Sequence, residues 1–278
     1  MITAPPSSPP SSAAPSPRPP DPKGARTAWI ALGSIIAVAT LVYGVLSVVG
    51  LLSWAHKDVQ FVFDDPVTTV DIDNDAGRVR VVAGAGDEIV VDADITYGLR
   101  DADVDAHVEG DRLLVRASCP IVVFGTCNVR YTVRVPADVA VRVRASGGGV
   151  TVDGVEGAVD ASSSGGGVRL VDTGGPIVAR SSGGGVRGED LRSDRVDASS
   201  SGGGVRLSFA SPPSEVRASS SGGGVTVEVP DTPEPYAVQA SSSGGSVRTS
   251  GVRHDPDSPR IIDVRSSGGG VTVRYREG

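Results

Sequence analysis

The pentapeptide Ser-Gly-Gly-Gly-Val occurs at Ser146–Val150, Ser164–Val168, Ser182–Val186, Ser201–Val205, Ser221–Val225 and Ser267–Val271, and once more as SGGSV at Ser243–Val247. Successive copies start 18, 18, 19, 20, 22 and 24 residues apart. A period near 20 with growing insertions marks an array of stacked rungs whose extra residues loop out.

The columns around each copy define the rung. Five residues before the last serine stand Val141, Val159, Ile177, Val196, Val216, Val238 and Ile262; three before it stand Val or Ala. Val follows the glycines in all seven copies, and two residues later come Val152, Leu170, Gly188, Leu207, Val227, Thr249 and Val273. Alternation with period two on both sides of the glycines predicts two short strands per rung, each with one face inward. Rungs then repeat roughly every 4.8 Å, Val on Val and Ala on Ala. The glycines make the corner, through positive φ and through close backbone approach where a Cβ would clash. The serines beside them bond corner amides or one another up the stack. A phosphate-binding loop is a poor fit, because no copy runs on into Lys-Ser/Thr or a helical pattern.

Working outward, residues 67–140 alternate without the SGGGV period. Val70–Asp73, Val79–Val81, Ile89–Thr96, Val104–Val108, Leu113–Arg116, Tyr131–Val135 and Val139–Val143 read as strands, with turns at Ala83–Asp87 and Glu109–Asp111. This leading β region, with its hairpins, is expected to cap the first rung. The fold class is therefore all-β: a β-solenoid of about seven rungs over 141–278, preceded by the cap at 67–140. Asp71, Asp73 and Asp75, and again Asp101, Asp103 and Asp105, have the odd-position spacing of a calcium loop. Ala76 and Ala106 occupy the required glycine position, however, so both runs read as outward carboxylates.

Residues 1–26 hold nine prolines and little that is apolar, and read as a disordered cytoplasmic tail. Ala28–Ser53 carries no charge over 26 residues and is flanked by Trp29 and Trp54. This is the pattern of a transmembrane helix within 27–54, putting residues 28–53 in the lipid bilayer, with a polar linker at 55–66. Arg18, Lys23 and Arg26 precede it and Lys57 follows, which places the N-terminus in the cytoplasm and the C-terminal part outside. The competing signal-peptide reading suffers from an apolar run too long for one. Outside the cytoplasm Cys119 and Cys127, the only cysteines, are expected to form a disulfide.

The net charge of −7 gives no reason to expect nucleic acid as a partner. Outward columns mix signs, as a solvated, self-neutralising face does. One column differs: Arg169, Arg187 and Arg206 follow the repeat valines of successive rungs, with Glu189 nearby. Such a stripe suits an anionic ligand held by bidentate contacts, a wall or surface polysaccharide among them; the plainer reading is an ordinary charged face. Asp160 and Asp197 share a column two rungs apart with Val178 between them, which is no pairing for glycoside cleavage. No catalytic, cofactor or metal residue is assigned.

The opening VDIDNDAGRVRV at Val70–Val81, the RVRASGGGVTV at Arg142–Val152 and the ASSSGGGVRL rungs resemble the bacterial putative-adhesin family of unknown function, relatives of the head-GIN domains. The resemblance covers about three quarters of the chain and implies a β-solenoid, often membrane-tethered. The functional expectation is a membrane-anchored surface binding or structural module without catalysis. The partner expected is a wall or surface polysaccharide or an envelope protein; the alternatives are an envelope-state sensor relaying to the Pro-rich tail and, more remotely, a polysaccharide-active enzyme.

Overall fold

The computed structural model describes residues 22–52, 55–75, 77–97, 102–119, 127–249 and 251–276. The chain forms two compact units, Met1–Val49 and Gly50–Gly278.

In the first unit α1 spans Pro22–Leu52. Proline suits the first helical position because its missing N–H would have no partner there. The helix therefore starts inside the segment read as tail, while residues 1–21 lie outside the described residues, as do Ser53 and Trp54. Thr40 and Ser47 donate their hydroxyls to the carbonyls of Ile36 and Tyr43, each at 2.8 Å, which satisfies them within the helix. Side chains are described without a break only over 29–45, all of them exposed. Among the described residues no helix is long and apolar enough to cross a membrane.

The second unit is all-β. Its leading part holds β1 (Ala55–Phe63), β2 (Thr69–Asn74), β3 (Val79–Gly84), β4 (Ile89–Tyr97), β5 (Asp103–Glu109), β6 (Arg112–Ser118) and β7 (Cys127–Pro136). The repeats supply strands in pairs: β8 (Ala140–Ala145) with β9 (Val150–Asp153), β10 (Val159–Ser163) with β11 (Val168–Val171), and β12 (Ile177–Ser181) with β13 (Val186–Leu191). Then follow β14 (Arg195–Ser200) with β15 (Val205–Phe209), β16 (Glu215–Ser220) with β17 (Val225–Val229), β18 (Ala237–Ser242) with β19 (Val247–Arg248), and β20 (Ile261–Ser266) with β21 (Val271–Tyr275).

Two mixed sheets result. Sheet A runs β1-β4-β7-β3-β9-β11-β13-β15-β17-β21-β19, and sheet B runs β18-β20-β16-β14-β12-β10-β8-β2-β6-β5. Each repeat gives one strand to each sheet, parallel to its neighbours and in the column register: Val159 faces Val141 and Ile177, and Val168 faces Val150 and Val186. The inward columns, such as Ala161, Leu170, Ala198 and Leu207, are buried between the sheets. Gly188 leaves a gap in its column, and Leu191 folds back to fill it: a Cβ on Gly188 would lie 2.6 Å from Leu191 Cδ1.

Two departures from simple stacking stand out. β20 and β21 insert between the β16/β17 and β18/β19 rungs, so the last two rungs are exchanged relative to chain order. The 22- and 24-residue spacings are the connections that step past a rung and return. The leading region does the same at the other end. β2/β3 and β6/β7 pair in parallel as rungs, β6/β7 lying outside β2/β3, while β1, β4 and β5 add antiparallel pairings beyond. The expected cap is thus two further rungs plus antiparallel edges.

Candidate functional site

The corners explain where a site can form. Contrary to expectation no repeat glycine has positive φ; the positive-φ glycines among the described residues are Gly77, Gly110, Gly154 and Gly251. What excludes side chains is the neighbouring rung. A Cβ on Gly167, Gly185 or Gly204 would lie 2.8, 2.6 or 2.7 Å from the carbonyl oxygen of Gly185, Gly204 or Gly224, closer than real contacts allow. The buried serines secure the corner to the rung before. Ser200 Oγ–H donates to Gly184 O at 2.7 Å and accepts from Gly203 N–H at 3.1 Å, and Ser163 and Ser220 repeat the arrangement. The hydroxyls therefore bond backbone and not one another.

On sheet A this leaves a strip of bare backbone beside the arginine column. Arg169 lies opposite Arg187, and Arg187 opposite Arg206, with Thr151 and Thr226 at the ends. Together they border an open groove of about 600 Å³ floored by Gly149, Gly167, Gly185, Gly204 and Gly224, with Arg78 also lining it. No aromatic ring lines it, so the flat stacking that holds neutral sugars is missing. Planar guanidinium forks remain, which match carboxylate and phosphate oxygens.

The charges in the groove are unequally compensated. Glu189 lies 2.6 Å from Arg169 and 3.6 Å from Arg187. Arg206 and Arg78 make no ion pair among the described residues. Sheet B behaves differently: Asp160 lies between Arg142 and Arg180 at 3.4 and 3.6 Å, and Glu215 bridges Arg195 and Arg217. There each of these arginines has a carboxylate partner on its own or a neighbouring strand.

Arg78 was absent from the sequence stripe because its rung carries DAGRV, at Asp75–Val79, in place of SGGGV. Aligning Val79 with the repeat valines would have placed it in the third-glycine column, since Val79 lies opposite Val150.

The remaining candidates are accounted for. Cys119 and Cys127 form a disulfide, with Sγ–Sγ 1.98 Å, at the corner of the β6/β7 rung. Asp71 and Asp73 face Arg142 and Arg144 across β2 and β8; Asp101 and Ala76 lie outside the described residues. Asp160 and Asp197 flank Val178 in register. His107 lies between Asp105 and Glu109 at 2.8 and 3.3 Å. No group of three or more possible metal ligands occurs among the described residues.

No family model matches the chain, and no curated protein matches it. Among solved structures it is similar to a "putative adhesin" from Parabacteroides merdae, at 12% identity over 81% of this chain and 97% of that one, with a TM-score of 0.39. A "putative cell adhesion protein" from Clostridium sporogenes matches at 10% identity over 80% of this chain and 100% of that one, TM-score 0.38. A "putative lipid binding protein" from Parabacteroides distasonis matches at 10% identity over 81% and 97%, TM-score 0.32.

Proposed function

We propose that this chain is a membrane-anchored, extracytoplasmic β-solenoid that serves as a non-catalytic surface binding module, with the sheet A groove as its ligand surface. The parallel, in-register pairing of successive repeats supports the solenoid. The uncharged run 28–53, most of it within α1, and the Lys/Arg bias before it support the anchor and its orientation. The disulfide suits an oxidising compartment.

The observation that carries the reading is the groove itself: four arginines beside a glycine floor, with one carboxylate, Glu189, held between two of them. Its ligand is an extended polyanion of the cell envelope, a wall polymer with phosphate or carboxylate groups. Arg78 and Arg206 supply the uncompensated charges. Glu189 is a resident competitor that a ligand anion displaces.

Titration of the full chain with a poly(glycerol phosphate) polymer tests this, with a neutral glucan as control. Arg206→Ala and Arg78→Ala each weaken binding roughly tenfold, and Glu189→Gln strengthens it. Equal affinity for the neutral glucan, or binding indifferent to all three changes, would sink the reading. Retention of the chain in the membrane pellet after alkaline extraction tests the anchor separately.

A further inference from the structure

At the N-terminal end sheet A is one strand wider than sheet B. Beyond the β6/β7 rung sheet B adds β5, whereas sheet A adds β4 and then β1. β1 pairs with β4 over all nine of its residues, and its other edge has no partner among the described residues. Its inward residues Val59, Phe61 and Phe63 lie opposite the buried Ala93, Val91 and Ile89, yet they stay only half-buried because no strand of sheet B faces them. The rings of Phe61 and Phe63 stack with centroids 6.5 Å apart. A long open edge with an uncovered apolar face is a template for another strand.

This edge is self-complementary. A two-fold axis normal to the sheet sets β1 antiparallel to its copy, the kind of pairing that β1 already makes with β4. Only registers centred on a residue keep inward side chains opposite inward ones. A centre at Asp58 sets that carboxylate against itself, and a centre at Phe61 sets Asp58 against Asp64. A centre at Val59 opposes no like charges but sets Lys57 against Phe61. A centre at Gln60 also opposes no like charges, and it pairs Val59 with Phe61 and His56 with Asp64, each twice. β5, the open edge of sheet B at this end, differs. Every centre from Val104 to His107 sets one acidic residue against another among Asp103, Asp105 and Glu109.

We infer that β1 is a docking edge for a second copy of this chain, paired antiparallel about Gln60. The axis leaves the outer faces of both sheets A on one side, so the pair presents two arginine grooves on one face. That consequence rests on the function proposed above; the pairing does not.

Sedimentation velocity of the full chain in a non-ionic detergent tests the pairing. Gln60 is exposed and outward, so its replacement leaves the core intact. Gln60→Lys and Gln60→Glu each set like charges together on the axis and raise the dimer dissociation constant about tenfold. An equimolar mixture of the two associates at least as tightly as the unaltered chain. Association through α1 is common to all of them and cancels. Cysteines locate the register: on oxidation Gln60→Cys cross-links with itself, and Asp58→Cys cross-links with Val62→Cys while neither does so alone. The inference is overturned if either charged variant sediments as the unaltered chain does, if their mixture associates no better than each alone, or if Val62→Cys links to itself as readily as Gln60→Cys.

Discussion

At its N-terminal end the stack finishes in antiparallel strands: β1 on β4 and β4 on β7 in sheet A, and β5 on β6 in sheet B. The edge strand β5 carries Asp103, Asp105, His107 and Glu109, and a disulfide closes the corner of the last rung. At the C-terminal end no antiparallel strand is added among the described residues. The last rung is parallel like the others, β19 is two residues long, and a connecting loop lies over the start of β18. Open sheet edges template further pairing, so both ends face the same hazard. One end meets it with extra strands, charge and a covalent tie, the other with a shortened strand and a folded-over loop.

The comparison can be broken most forcefully in the interior. Gly185→Ala puts a Cβ against Gly204 O and costs about 3 kcal/mol, whereas Ser246→Ala at the open end stays within about 0.5 kcal/mol. Denaturant unfolding of the pair measures the contrast; equal stability would mean that rung spacing is not what excludes side chains. Replacing Cys119 and Cys127 by serine costs about 2–3 kcal/mol for so short a loop. Hydrogen exchange then quickens in β6 and β7 and stays unchanged in β18–β21. A uniform increase would show that the ends are not closed independently.

A smaller effect separates interior from end. Ser200→Ala removes a buried hydroxyl that donates to Gly184 O and accepts from Gly203 N–H, at a cost of about 1 kcal/mol. Ser242→Ala, half-buried in the outer rung, costs less. The last prediction sharpens the difference by pH. Each end holds one fully buried tyrosine: Tyr131 donates to Arg116 O at 3.1 Å and Tyr236 to Pro230 O at 3.0 Å. Burial raises the Tyr236 phenol to about 12 and Tyr131 further still. The unfolded phenol ionises near 10, so this stability is full below pH 10 and drains away as pH rises through the folded values. Absorbance of the phenolate during an alkaline titration shows Tyr236 ionising before Tyr131, and Tyr236→Phe abolishes the earlier step.

Much of the interior was legible because each rung repeats the same demand. Val159, Ile177 and Val196 occupy equivalent places, so a shared column identifies shared burial. The arginine column was legible for the same reason. The exchange of the last two rungs was not: β18 and β20 carry interchangeable inward residues, and either order satisfies the columns. Arg78 escaped because its corner lacks the repeat. Of the two reasons expected for the glycines, close backbone approach holds and positive φ does not, since the steric partner lies in the next rung and not in the turn itself. The SGGSV departure was visible throughout, but that its rung is outermost was not.

The exchanged rungs also bear on how the fold is completed as the chain is made. β18 and β19 emerge before the rung on which they rest, so at first they have nothing to pair with in their final place. They must wait, or pair provisionally with β16 and β17 and then give way when β20 and β21 arrive. Closure of this end therefore waits on β20 and β21, and a chain interrupted before β20 lacks the inner rung on which β18 and β19 rest.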